Sequence, residues 1–164
     1  MIIDTIISAA PIMPPEAWLI TAGILFLLLL TAIVDAFTKE VPDELIFLGL
    51  LTVTATQGFF VSWEYAAVNL RWAIALGILL WGINEIWYWK FKRDAIGMGD
   101  AKWTMLVVSS FGICPAILSW GIGSAIAVAF ISILWIFRKR IDLVPFVPFL
   151  FAGLMVALFF PLKI

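Results

Sequence analysis

From Trp103 to Phe137 the chain carries no charged side chain. A helix that crosses a bilayer needs about 20 mostly apolar residues, so this run is too long for one crossing and must break. Gly112-Ile113-Cys114-Pro115 supplies a break, because glycine and proline interrupt a helix. It predicts two short spans. Further apolar runs cover Ala17–Val34, Leu45–Trp63, Tyr65–Trp89 and Leu143–Leu162, giving six spans. Hydrophobic residues make up 65% of the chain and charged residues 13%, against roughly one half and one quarter in soluble domains. So much apolar surface has no interior to fill in a chain of 164 residues. The expected fold class is an all-α integral membrane protein with six transmembrane helices. It forms a single polytopic domain over 1–164 with no soluble domain.

The loops between these spans fall into two groups by charge. One holds Lys39, then Lys90, Lys92, Arg93 and Lys102, then Arg138, Lys139 and Arg140; the other holds Asp4, Glu16 and Glu64, with Lys163 at the carboxyl end. Basic loops stay on the cytoplasmic side. Both termini are therefore expected outside. The segment "MIIDTIISAAPIMPPE" lacks a basic stretch and does not read as a cleaved signal. Its Pro11, Pro14 and Pro15 predict an irregular lead-in.

The chain has no histidine and a single cysteine, Cys114. That excludes an internal disulfide, Cys- or His-based metal sites and the usual Ser-His and Cys-His pairs. No metal, cofactor or nucleic-acid partner is expected. Carboxylates remain as the main acid–base groups, and two stand out. Asp35 ends the first span and Asp100 precedes the fourth, both at the edge where the basic loops lie. Taken singly, Asp100 reads as a helix N-cap and Asp35 as a polar span end in the headgroup layer. Taken together they read differently. Two carboxylates 4 Å apart repel by about 4 kcal/mol at an effective dielectric near 20. Such a pair shares one proton near neutral pH. It can then activate water and protonate a leaving amine, as aspartic proteases do. Gly97 and Gly99 leave the backbone beside Asp100 open to close approach.

The residues around both acids resemble a known family. "GMGD", residues 97–100, matches the G-x-G-D motif of intramembrane aspartyl proteases, and "GMGDAK" resembles the version found in type IV prepilin peptidases. "DAFTKEVPDEL", residues 35–45, resembles that family's other catalytic segment, and "VPFVPFLFAG", residues 144–153, its proline-containing last span. The three segments occur in the family's order, and with the six spans they cover nearly the whole chain. Asp43 stands where the family often has Asn, and Val147 where it often has Gly. The paired-cysteine methyltransferase region of the larger bacterial enzymes has no counterpart here. The resemblance is to the short, peptidase-only members, including archaeal preflagellin peptidases and small enzymes of tight-adherence pilus systems.

The resemblance implies a GxGD-type architecture and an aspartic endopeptidase. Its substrates would be precursors of type IV pilins, pseudopilins or archaellins, cut behind a short basic leader. Asp35 and Asp100 would form the catalytic pair. Gly97, Met98 and Gly99 would lie along the substrate, and Glu40, Asp43, Glu44 and Asp94 would attract the leader. The enzyme would sit in the cytoplasmic membrane, among lipid, with its site near the cytoplasmic face. Glu85, about a turn inside the third span, is expected to pair with another helix. Lys102 is expected to reach lipid phosphate, and Trp87, Trp89 and Trp103 read as interfacial anchors. The glycine-hinged loop from 90 to 102 is expected to move as substrate binds. Two rival readings keep the same acids: a presenilin-like or signal-peptide-peptidase-like protease, and a proton-coupled helical transporter.

Overall fold

A computed structural model describes residues 17–137 and 144–160. The expectations placed on Asp4, on Pro11, Pro14, Pro15 and Glu16, on Arg138, Lys139, Arg140 and Lys163, and on the span ends Leu143 and Leu162 lie outside the described residues. The described residues form six helices: α1 (Ala17–Thr38), α2 (Asp43–Phe60), α3 (Trp63–Phe91), α4 (Met98–Phe111), α5 (Ile113–Ile136) and α6 (Val147–Phe159). No strand occurs among them.

Local chemistry sets most boundaries. Pro42 is extended and opens α2, whose first turn holds Asp43 and Glu44, where negative charge meets the positive end of the helix dipole. Ser62 caps α3, its hydroxyl accepting from the Tyr65 N–H at 3.1 Å. Gly112 separates α4 from α5 with φ at 85°, a region that suits a residue without a side chain. The break is therefore where the sequence puts it, but the two halves are unequal. α4 has 14 residues and α5 has 24. Helix α6 starts at Val147; Val144, Pro145 and Phe146 ahead of it form no regular structure, and proline disfavours helix in the residue before it.

Among the described residues, three helices are long and apolar enough to cross a membrane: Ile20–Thr38, Trp63–Phe91 and Ile113–Ile136. α4 and α6, with 14 and 13 residues, reach only about 20 Å against a hydrocarbon core near 30 Å. Large apolar side chains such as Phe26, Phe47, Phe59 and Trp135 stand more than half exposed on the outer surface. Soluble monomers rarely carry that much apolar surface; lipid tails suit it.

The short helix α4 is the centre of the bundle. Trp103, Leu106, Val107 and Val108 are fully buried and pack in one core with Leu28, Val53, Ala73 and Leu150. Trp103 is thus a core residue and not an interfacial anchor. Its indole N–H points at the Leu28 carbonyl, 3.5 Å away. Trp87 and Trp89 do face outward. The far end of α4 lies inside the bundle, where its last carbonyls would lack partners. The buried Gln57 side chain supplies them, its amide donating to the Ser109 and Ser110 carbonyls at 2.9 Å each.

Helices α5 and α6 approach through glycine. A Cβ on Gly153 would sit 2.5 Å from the Ser119 carbonyl oxygen and 2.6 Å from the Gly123 nitrogen. Backbone atoms cannot step aside as a side chain can, and small residues are what allow such contacts between membrane helices. Gly121 has nothing within 4 Å of an added Cβ. Gly153→Ala should lower stability by about 1–3 kcal/mol, whereas Gly121→Ala should leave it within about 0.5 kcal/mol. Thermal unfolding of the two variants in detergent measures the difference.

Candidate active site

Helix α1 runs one turn past the predicted end of its span, so Asp35 lies inside it rather than at its tip. Its side chain is 5% exposed, not spread in a headgroup layer. One carboxylate oxygen accepts the Val147 N–H at 3.2 Å. Asp35 thereby satisfies a free backbone donor at the head of α6 and ties the first helix to the last.

Asp100 is the third residue of α4, and the N-cap is Gly97. Asp100 is therefore not the cap expected from its position. Its carboxylate folds back toward Gly97, with Oδ2 close enough that a Cβ on that residue would collide with it. Its backbone carbonyl accepts from the Thr104 hydroxyl at 2.6 Å, and that hydroxyl accepts from the Trp120 indole at 2.8 Å. The first turn of α4 is thus fixed from α5 as well.

The two glycines of the motif make room beside the acids. A Cβ on Gly97 would come 2.7 Å from Asp100 Oδ2; a Cβ on Gly99 would come 3.1 Å from Val41 and 3.7 Å from Asp35 Oδ1. The bare backbone of 97–99 therefore approaches both carboxyls. A side chain at Gly97 would press on Asp100, and one at Gly99 on Val41. Met98 between them is 43% exposed.

Both acids line a cavity of about 780 Å³, walled by the end of α1, the 39–43 connection, residues 94, 97–100 and 102, and Val144–Phe146. Of the other predicted site residues, Glu40, Asp43, Asp94, Gly97, Met98 and Gly99 also line it; Glu44 does not. Asp43 is held in an ion pair with Lys102, so Lys102 reaches across the cavity wall instead of out to lipid. Asp94 accepts a hydrogen bond from Asn84 at 3.1 Å. Glu85 is exposed, and the Lys102–Asp43 pair is the one ion pair among the described residues. The expected pairing of Glu85 with another helix is not formed there.

Asn84 escaped the reading of the sequence. It is 6% exposed and bonds to residues 94–96, just before the glycines. An isolated amide two turns from the end of a long apolar helix was the only signal available, and it did not say which segment the amide would meet.

Asp100 lies ahead of the apolar run that starts at Trp103, outside the three spanning helices. Burial pushes its carboxyl up to about 7; the charge of Asp35 adds to the rise, and the Gly97 N–H opposes it. Among the described residues, no group of three or more Asp, Glu, Cys or His side chains is arranged to hold a metal ion. The arrangement suits chemistry in which one carboxyl of the pair keeps a proton and the other does not. Comparison with protein-family models, curated proteins and solved structures returns no match.

The elevated pKa makes folding stability depend on pH. Between pH 3.8 and about 7 the unfolded chain ionises Asp100 while the folded chain keeps it protonated. Stability from this group therefore falls as pH rises through that window and is flat on either side. Asp100→Asn removes the dependence. The variant should melt at a higher temperature than the natural chain at pH 8, and the two midpoints should converge near pH 4.

Proposed function

We propose that the protein is a membrane-embedded aspartic endopeptidase that removes the short basic leader from precursors of type IV pilins, pseudopilins or archaellins. The observation that carries this reading is the meeting of Asp35, from the tail of α1, with Asp100, from the head of α4, beside the Gly97–Gly99 backbone at one open cavity. The resemblance of the three sequence segments to short prepilin peptidases supplies the substrate class.

In the proposed reaction one proton is shared by the pair. The ionised carboxyl removes a proton from a water molecule as its oxygen attacks the scissile carbonyl carbon. The protonated carboxyl hydrogen-bonds to the oxyanion that forms. The tetrahedral intermediate then collapses: its C–N bond breaks, the amine leaves with a proton from the pair, and the leader departs with a new carboxyl group. The titration belongs to the two acids jointly.

The charge of the cavity favours a basic leader. Five acids line it (Asp35, Glu40, Asp43, Asp94 and Asp100) against two lysines, Lys39 and Lys102. One shared proton still leaves an excess of negative charge. Within that set Asp43 is engaged by Lys102 and Asp94 by Asn84. Glu40 is exposed on the rim and is the residue best placed to meet a leader lysine or arginine. The positive-inside rule puts Lys39, Lys90, Lys92 and Arg93, and the cavity with them, at the cytoplasmic face.

Co-expression with a basic-leader precursor tests the reading. Mature product should form with the natural chain, and its rate should fall on the order of 10⁴-fold with either Asp35→Asn or Asp100→Asn. Unchanged trimming of the precursor by the double Asn variant would exclude the protein as the peptidase.

A further inference from the structure

Asn84 lies on α3, buried, in the stretch "GINEIWYW". A polar amide placed there costs free energy unless it is hydrogen-bonded. All three of its bonds go to consecutive residues of the connection to α4. Nδ2 donates to Asp94 Oδ1 at 3.1 Å, and Oδ1 accepts the Ala95 N–H at 2.8 Å and the Ile96 N–H at 3.2 Å. Two consecutive backbone donors are thus fixed by α3. The next residue, Gly97, is the cap at which α4 begins, and Asp100 Oδ2 lies close against it. The start of α4, and with it the place of Asp100, is set from α3 by the two bonded residues that lead into the cap. Gln57 fixes the other end of the same helix by the same means.

We propose that Asn84 is a positioning residue: by pinning Ala95 and Ile96 it fixes where α4 starts and hence how Asp100 faces Asp35 across the cavity. Its effect on turnover rests on the protease reading; its hold on the loop does not. Substrate would meet an acid held in place from behind, and the loop would not be free to swing as a whole. A displacement of about 1 Å in such a site lowers turnover about 100-fold.

The test uses the full chain in detergent, with a basic-leader precursor as substrate and with hydrogen–deuterium exchange of the 93–99 segment. Asn84→Leu keeps the branched shape, with somewhat greater bulk, and removes every side-chain bond. Asn84→Asp keeps the acceptor but sets a carboxylate against Asp94. The double change Asn84→Asp/Asp94→Asn restores donor and acceptor with their roles exchanged and the total charge unchanged. Asn84→Leu and Asn84→Asp should each lower kcat about 10- to 100-fold with KM within about threefold, and speed exchange at 95–97 while α5 and α6 keep their protection. The double variant should return exchange at 95–97 to that of the natural chain. Natural exchange at 95–97 in Asn84→Leu, or exchange in the double variant no slower than in Asn84→Asp, would overturn the proposal. If the natural chain cuts no precursor, the protease reading fails alone, and the exchange series still decides whether Asn84 holds the loop.

Discussion

A helix too short to cross a bilayer must satisfy both of its ends within protein. No water reaches the hydrocarbon core to bond stray N–H and C=O groups. Helix α4 has this problem, with 14 residues and a position at the centre of the bundle. At its far end a buried side-chain amide from a neighbouring helix solves it: Gln57 of α2 takes the carbonyls of Ser109 and Ser110. Ahead of its first turn, Asn84 of α3 takes the N–H groups of Ala95 and Ile96, the two residues before the Gly97 cap. Shortness is what lets α4 carry an acid in its first turn while that turn still lies against other helices. A full-length span would hold the same residue further out, where water would solvate it.

The dyad follows from where helix ends converge. Asp35 accepts from the head of α6, and Asp100 sits in the first turn of α4. Each helix start carries partial positive charge, worth about 0.3–1 kcal/mol to a nearby anion and up to about 2 in favourable, partly buried geometry. Two such starts recover at most about 4 kcal/mol, and ordinarily much less, against a repulsion of about 4 kcal/mol for ionised carboxyls at 4 Å. Burial adds to the cost of the second charge. The helix ends therefore offset part of the cost of charge in this cavity, and burial still holds the Asp100 carboxyl above its ordinary range. In the proposed reaction the pair works with one proton between them.

The features legible in the sequence are those fixed by local chemistry. The six helices followed from apolar runs, the start of α2 from Pro42, and the end of α4 from Gly112. Both acids were marked by their place beside the runs. Features decided by a neighbour distant in the chain were not legible. Trp103 has the composition of an interfacial anchor and is core because α1 passes over it. Lys102 has the reach for lipid phosphate and pairs with Asp43 because α2 begins beside it. Asn84 and Gln57 are two amides among apolar residues, and nothing nearby in sequence names the backbone they hold. Asp100 reads as a cap because the turn before it is glycine-rich; the cap is Gly97, three residues earlier.

The departures from the prepilin-peptidase pattern now have a physical reading. Val147 stands where that family often has Gly, yet its contribution to Asp35 is a main-chain N–H, which any residue but proline supplies. Its side chain is fully buried in the core, so the change adds packing without touching the bond. Asp43 stands where Asn is frequent, and here its charge is matched by Lys102, two residues beyond Asp100. The pair is partly exposed, so it contributes little stability, but it draws the head of α2 to the head of α4 along one wall of the cavity. An asparagine would leave Lys102 without its counter-charge and the wall more positive. Both departures alter the walls around the two acids and leave the acids, the glycines beside them and the bonds that hold them intact.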